Sequence, residues 1–313
     1  MTLRVDSSSP RLLRGLVAAT FTPFKADGSL DVDRIPAVVD GVIAQGAAGL
    51  YVCGSTGEGP LLTTAEREIV AAVSIKAAAG RVPVVVQVGH NSIEEARGLA
   101  AHAQACGASA ISATPPGYFK PDGLDNLIAC LGVITAGAPA LPFYYYHIPI
   151  LSGVAFNMVE FLRLGEQQLP TLRGIKFSDP NLHEMMACTE YGGGRHEILF
   201  GVDEMLLGGL AFGVRGAVGS TYNFAAPLYR LIMAAFDRGD VAEARRLQSL
   251  SAEMVRIIVG IGGRGGLKAT MALIGLDCGF SRLPTRTCTA EQREKIRAEL
   301  DRIGFFQWAV VKK

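Results

Sequence analysis

Lys176 is the residue whose surroundings most invite chemistry. It lies in Leu172-Arg173-Gly174-Ile175-Lys176-Phe177-Ser178-Asp179, a short apolar run that Ser178-Asp179-Pro180 ends. Such a run reads as a buried strand. An ammonium among apolar neighbours is costly. Burial lowers its pKa, and a neutral amine near pH 7 is a nucleophile that can condense with a ketone to a Schiff base. A lysine that snorkels to solvent from a strand end fits the same stretch, and the stretch alone does not choose.

Two further groups bear on the choice. Tyr146 closes Tyr144-Tyr145-Tyr146 and precedes Lys176 by thirty residues, one strand-plus-helix unit. The two side chains should project from neighbouring strands, where a phenol beside a Schiff-base lysine can shuttle a proton. Adjacent side chains alternate between faces, so at least one of the three tyrosines serves only the strand. Gly54-Ser55-Thr56-Gly57-Glu58-Gly59 offers two hydroxyls and backbone N–H groups freed by glycines. Such a nest suits a carboxylate, although the pattern is also ordinary turn chemistry. It lacks the lysine of a phosphate-binding loop.

The elements that must position these groups can be read in order. Strand candidates are Leu16–Phe21, Gly49–Cys53, Pro83–Val88, Ala110–Ala113, Pro142–Tyr146, Leu172–Phe177, Glu197–Gly201 and Gly216–Val218. Several are apolar throughout, as strands buried on both faces are. Amphipathic runs separate them. One is capped by Thr63 or Thr64 and reaches about Ala79; another opens on Ser92-Ile93-Glu94-Glu95, a capping box. The others are Asp31–Gln45, Leu124–Ala136, Asn157–Leu164, Leu182–Tyr191, Glu204–Phe212 and Pro227–Arg238. Eight such units predict an α/β fold, a (β/α)8 barrel. An open doubly wound sheet is the alternative, but Thr22-Pro23-Phe24 replaces the glycine-rich turn it needs after its first strand.

A barrel carries its active site at the carboxyl ends of the strands. Ser55 and Thr56, Tyr146 and His147, Lys176 and Ser178, Gly201 with Asp203 and Glu204, and Ser220 would all face one mouth. After about Asp240 no further strand is evident. Val241–Ile261, Gly266–Leu273 and Thr289–Arg302 read as helices, so residues 241–313 are expected to append a helical part to a barrel of residues 1–240. The cluster Gly262-Gly263-Arg264-Gly265-Gly266 could cradle an anion at a helix start; we read it as a hinge.

Composition narrows the class. The chain has 313 residues, 49% hydrophobic and 19% charged, with a net charge of +1. That balance argues against nucleic acid or a membrane surface as partner. None of the six cysteines forms a C-x-x-C pair, which reads as thiols in a reducing compartment. The five histidines form no H-x-x-x-H pair, and Ala187 breaks the zinc-protease pattern begun by His183-Glu184. Residues 1–11 show no apolar signal segment, and no apolar run reaches the roughly 18 residues of a membrane helix. A soluble cytoplasmic protein without a metal is expected.

Leu141-Pro142-Phe143-Tyr144-Tyr145-Tyr146-His147-Ile148-Pro149, Gly174-Ile175-Lys176-Phe177-Ser178-Asp179, Phe200-Gly201-Val202-Asp203-Glu204 and Gly216-Ala217-Val218-Gly219-Ser220-Thr221-Tyr222-Asn223 together resemble the N-acetylneuraminate lyase family. That family belongs to the pyruvate-dependent class I aldolases that include dihydrodipicolinate synthase. The resemblance runs from about Gly15 to Arg282-Leu283-Pro284 and implies site roles. Lys176 would form the Schiff base, so no other cofactor is implied. Tyr146 would relay protons. Ser55 and Thr56 would hold the pyruvate carboxylate, with Ser55 also open to the relay. Asp203, Glu204, Ser220, Ser178 and the backbone of Gly201 would bind the hydroxyls of a sugar acid. Leu151 stands where the synthases carry an arginine for a second carboxylate, which points to a neutral polyol. Tyr118, in Thr114-Pro115-Pro116-Gly117-Tyr118-Phe119-Lys120-Pro121, matches an aromatic that the family donates into a neighbouring subunit's site, implying a homo-oligomer, dimer or tetramer. The expected activity is reversible cleavage of N-acetylneuraminate to pyruvate and N-acetylmannosamine. The alternatives are an aldolase or dehydratase acting on a 2-keto-3-deoxy sugar acid, and a barrel that binds such ligands without turnover.

Overall fold

Eight parallel strands close on themselves in chain order. They are β1 (Gly15–Ala19), β2 (Gly49–Val52), β3 (Val84–Gln87), β4 (Ala110–Ala113), β5 (Phe143–His147), β6 (Leu172–Phe177), β7 (Glu197–Phe200) and β8 (Gly216–Gly219). The register Gly15↔Gly216 through Ala18↔Gly219 seals the circle. This computed structural model describes residues 12–309, so the reading of residues 1–11 lies outside it. The predicted fold class is correct, and each predicted strand is found to within one or two residues at its ends.

The helices are α1 (Ile35–Ala44), α2 (Thr64–Ala78), α3 (Ile93–Ala105), α4 (Leu124–Thr135), α5 (Pro149–Ser152), α6 (Met158–Gln168), α7 (Leu182–Glu190), α8 (Leu206–Ala211), α9 (Tyr222–Asp237), α10 (Val241–Leu273), α11 (Ala290–Arg302) and α12 (Phe305–Trp308). Thr63 and Glu66 exchange side-chain and backbone bonds at the start of α2, a complete capping box. At α3 only half of the expected box forms. Ser92 Oγ accepts the Glu95 N–H, but the Glu95 carboxylate takes the Thr64 hydroxyl at 2.7 Å and ties α3 to α2. α9 starts ahead of Pro227, because Ala225 leaves the helical region and the proline falls where the helix resumes.

The glycine cluster read as a hinge falls at a kink between two helical stretches, at Gly263. Residues 241–273 form one helical run, broken at Gly263 alone. A Cβ at Gly265 would lie 2.1 Å from Arg286 O, and one at Gly266 would lie 2.5 Å from Ile258 O. These two glycines are there so that backbones can touch, which is the opposite of looseness.

Alternation along the strands makes two cores. Val17, Tyr51, Val85, Ala110, Tyr144, Tyr146, Leu199 and Val218 fill the barrel. Phe143, Tyr145, Ile175 and Phe177 point outward to the helices. At the barrel floor the buried Glu197 carboxylate accepts from Leu12 N, Leu13 N, Arg173 Nε and Tyr144 Oη at 2.7–3.1 Å.

The run from α10 to residue 282 folds back on the loop after β2. Lys268 Nζ donates to Glu58 Oε1 at 2.9 Å and to Phe280 O, and Arg282 N donates to Glu58 Oε2 at 2.8 Å. The Arg282 guanidinium forks onto both oxygens of Glu66, which pushes that carboxyl down to about 2. Breaking a buried pair strands the remaining charge. Lys268→Met should therefore lower the unfolding free energy in urea titrations by about 3–5 kcal/mol, and Glu58→Gln/Lys268→Met should lower it by less.

Candidate active site

Parity along β6 sends Lys176 into the barrel mouth, where Tyr146↔Lys176 and Lys176↔Leu199 are register partners. The side chain is 3% exposed, so the snorkelling alternative does not hold. Its Nζ sits 3.7 Å from the ring centroid of Tyr51 and 3.8 Å from that of Tyr146. Those rings meet edge to face at 5.7 Å. Burial pushes the amine below its usual pKa; Tyr146 and Asp203 pull the other way, and burial wins.

The phenol of Tyr146 lies 3.4 Å from Ser55 Oγ, and Thr56 Oγ1 lies 2.6 Å from Ser220 Oγ. The loop that carries Ser55 and Thr56 is tightly bound. The Thr22 hydroxyl donates to Gly57 O at 2.6 Å, and a Cβ at Gly59 would fall 1.9 Å from Cys53 O. Cys53 and Glu58 both adopt positive φ, at 59° and 55°, which side chains other than glycine adopt at a cost. The Lys268 and Arg282 contacts to Glu58 hold that geometry.

The opposite wall is polar. Ser178 Oγ is buried and has no partner among the described residues; a Cβ at Gly201 would lie 1.9 Å from it, so the glycine makes its room. Asp203 Oδ2 accepts from Thr221 N at 2.9 Å and Thr221 Oγ1 at 2.6 Å, and the Tyr229 hydroxyl lies 2.7 Å from that Oγ1. Burial pushes the Asp203 carboxyl up to about 6, against the Thr221 donors. Glu204 lies beside it, partly buried.

Ser55, Thr56, Tyr146, Lys176, Ser178, Gly201, Asp203, Glu204 and Ser220 all line one cavity of about 1330 Å³. Tyr118 does not. It is 79% exposed on the loop after β4, edge to face with Phe119 at 5.0 Å. Two residues escaped the sequence reading. Tyr51 forms part of the lysine's cradle; its parity with the inward positions of β2 was the available signal. Lys268 lines the cavity from α10, which no local pattern could have announced; the glycine cluster that the sequence offered as a possible anion cradle lines it as well, at residues 262–265. Among the described residues no group of three or more His, Cys, Asp or Glu is placed to hold a metal ion, and no helix is long and apolar enough to cross a membrane.

Residues 12–303 match the model of the dihydrodipicolinate synthetase family. N-acetylneuraminate lyase A of Xenopus laevis is 42% identical over 277 residues, 87% of this chain and 90% of that protein. N-acetylneuraminate lyase of Gallus gallus is 39% identical, covering 93% of this chain and 96% of its own length. Among solved structures, N-acetylneuraminate lyase of Proteus mirabilis superposes with a TM-score of 0.91 at 38% identity, covering 94% of this chain and all of that one (100%). The sialic acid aldolase of Aliivibrio salmonicida gives 0.91 at 36% identity, covering 95% and 98%.

Asp203 makes stability depend on pH. Its folded pKa is raised, so its contribution is complete below 3.8 and is lost as pH rises through about 6. Asp203→Asn keeps an acceptor for Thr221 and removes the ionisation. Between about pH 4.5 and about pH 7.5 the unchanged protein should lose roughly 2 kcal/mol more unfolding free energy than this variant, measured by urea titration at each pH.

Proposed function

Because this chain belongs to the dihydrodipicolinate synthetase family, we propose, from that membership and the site, that it is a class I aldolase which reversibly cleaves N-acetylneuraminate to pyruvate and N-acetylmannosamine. The observation that carries this reading is the Lys176 amine, buried without an ion-pair partner among the described residues and facing Tyr146 on the adjacent strand. The lyases of Xenopus, Gallus and Proteus, alike to this chain over most of its length, supply the substrate.

The neutral amine attacks the keto carbon, and the keto oxygen departs as water, leaving an iminium. Tyr146 takes the proton of the C4 hydroxyl as the C3–C4 bond breaks. The bonding electrons flow to the iminium and give an enamine, and the sugar leaves as an aldehyde. Protonation at C3 and hydrolysis then release pyruvate and restore the lysine. The iminium is the electron sink, so the chemistry asks for no metal or organic cofactor. Ser55 and Thr56 hold the substrate carboxylate through hydroxyls and the loop's N–H groups. The unpartnered Ser178 hydroxyl, with Gly201, Asp203, Glu204 and Ser220, receives the sugar hydroxyls. A site with that many waiting polar groups rejects analogues that leave them unpaired. Leu151 lines the cavity where a second carboxylate would need a cation.

The working unit in this reading is a cytoplasmic homo-oligomer, a dimer or tetramer, with Tyr118 contributed to a neighbour's mouth. The outward Tyr118–Phe119 pair supports it, since exposed aromatic pairs mark contact surfaces.

Incubation with N-acetylneuraminate should release pyruvate, faster than any other 2-keto-3-deoxy sugar acid is turned over. Borohydride added with pyruvate should leave a stable adduct that peptide mass mapping finds on Lys176. Tyr146→Phe should still trap pyruvate but turn over about 10²–10⁴-fold more slowly. An unlabelled Lys176 would remove the mechanism.

A further inference from the structure

Tyr51 is the largest group touching the reactive nitrogen for which the mechanism has no use. Its ring face lies 3.7 Å from Lys176 Nζ. The ring cannot turn aside. Its hydroxyl donates to Ser112 Oγ at 3.0 Å, and Ser112 in turn donates to Tyr144 O at 2.8 Å. The loop that carries Ser55 lies directly on it: a Cβ at Gly54 would fall 2.7 Å from the ring's Cε1. The ring is a fixed wedge between the lysine and the proposed carboxylate nest.

What surrounds the amine makes the wedge significant. From β5 it meets the ring of Tyr146, and from the segment after β7 it feels the charge of Asp203. Among the described residues no carboxylate lies within ion-pair distance of it, although the interior pairs other charges closely, Lys268 with Glu58 and Arg173 with Glu197. On condensation the Nζ lone pair forms the C–N bond. The keto oxygen leaves as water with one proton from the amine and one delivered through Tyr146. The nitrogen keeps one hydrogen and a full positive charge.

Resting on the Schiff-base reading above, we propose that Tyr51 is a catalytic residue whose ring face stabilises the iminium on Lys176, in place of a carboxylate counter-ion. A carboxylate in contact would hold the free lysine protonated and suppress its attack. A ring face accepts no proton and attracts a cation more weakly. The amine therefore stays available before pyruvate arrives, and the charge is supported once the C=N bond exists.

Fluorination tests this because it drains the ring's negative face with little change of shape. Tyr51→Phe in the full chain, which keeps the ring face and loses the hydroxyl, sets the reference kcat for the series. Mono-, di- and trifluorophenylalanine at position 51 should then lower kcat stepwise, toward about 30-fold, the factor equivalent to about 2 kcal/mol of cation–π attraction in a desolvated site. The KM for pyruvate in the synthetic direction, which includes formation of the iminium, should rise along the same series. The acid limb of borohydride trapping should move to lower pH, since the ammonium loses the same support. Tyr51→Leu, if it melts as the original does, should match the trifluoro protein. A flat kcat series, or an acid limb that moves up, overturns the proposal. The unmodified protein separates the two failures: an adduct on Lys176 with a flat series sinks only the role of Tyr51, and no adduct at all sinks both readings.

Discussion

Removing an ammonium group from water is expensive, and at Lys176 nothing within ion-pair reach among the described residues repays the cost. The other interior charges are arranged differently. Glu197 receives four donors at the barrel floor. Glu58 and Lys268 neutralise each other. Arg67 gives its terminal nitrogens to Gln87 O, Gln87 Oε1 and Gly89 O. Lys176 meets two ring faces and a distant carboxylate, and the balance falls toward the neutral amine. The rest of the mouth is built around keeping that nitrogen dry, fixed in place and within reach of a phenol.

Rigidity around the nitrogen comes from close backbone approach. Gly174 has no room for a Cβ, which would sit 1.9 Å from Glu197 O, so β6 and β7 are drawn together directly below the lysine. Gly57 and Gly59 do the same for the loop that carries Ser55 and Thr56, and Gly201 and Gly219 clear space for Ser178 and Asp203. A Cβ at these positions would displace a polar atom or open a strand pair. The glycines therefore set positions, and the reactive side chains inherit their precision from them. The helical run beyond residue 240 takes part as well, since Lys268 and Arg282 hold Glu58 in its left-handed conformation next to the proposed carboxylate nest.

The site also stores unmet hydrogen bonds. Ser178 Oγ is buried without a partner among the described residues, and Asp203 is held where its ionised form is disfavoured. Folded proteins rarely leave a buried hydroxyl such as that of Ser178 unsatisfied. Here both groups face a cavity large enough for a sugar acid, and a polyol would satisfy them. Stability conceded on this wall is recovered in the two apolar shells, inside the barrel and between strands and helices.

Period and local chemistry carried much of this in the sequence. Uniformly apolar runs of strand length, split by amphipathic ones, pointed to a parallel sheet covered by helices, because a strand buried on both faces has no alternation to show, and their number, eight, favoured the closed barrel over an open sheet. The barrel then placed the carboxyl-end residues of different strands at one mouth, so Lys176, Tyr146, Ser55 and Asp203 could be grouped before any coordinates were known. Contacts between residues far apart in the chain could not be read in this way. The wedge of Tyr51 under Lys176, the reach of Lys268 to Glu58, and the close backbone packing at Gly265 and Gly266 depend on distances between segments with no shared local pattern. Only the closed barrel, with its last helices folded over the mouth, brings those atoms within a few ångströms, because side-chain contact is decided by packing, and packing is a property of the whole chain.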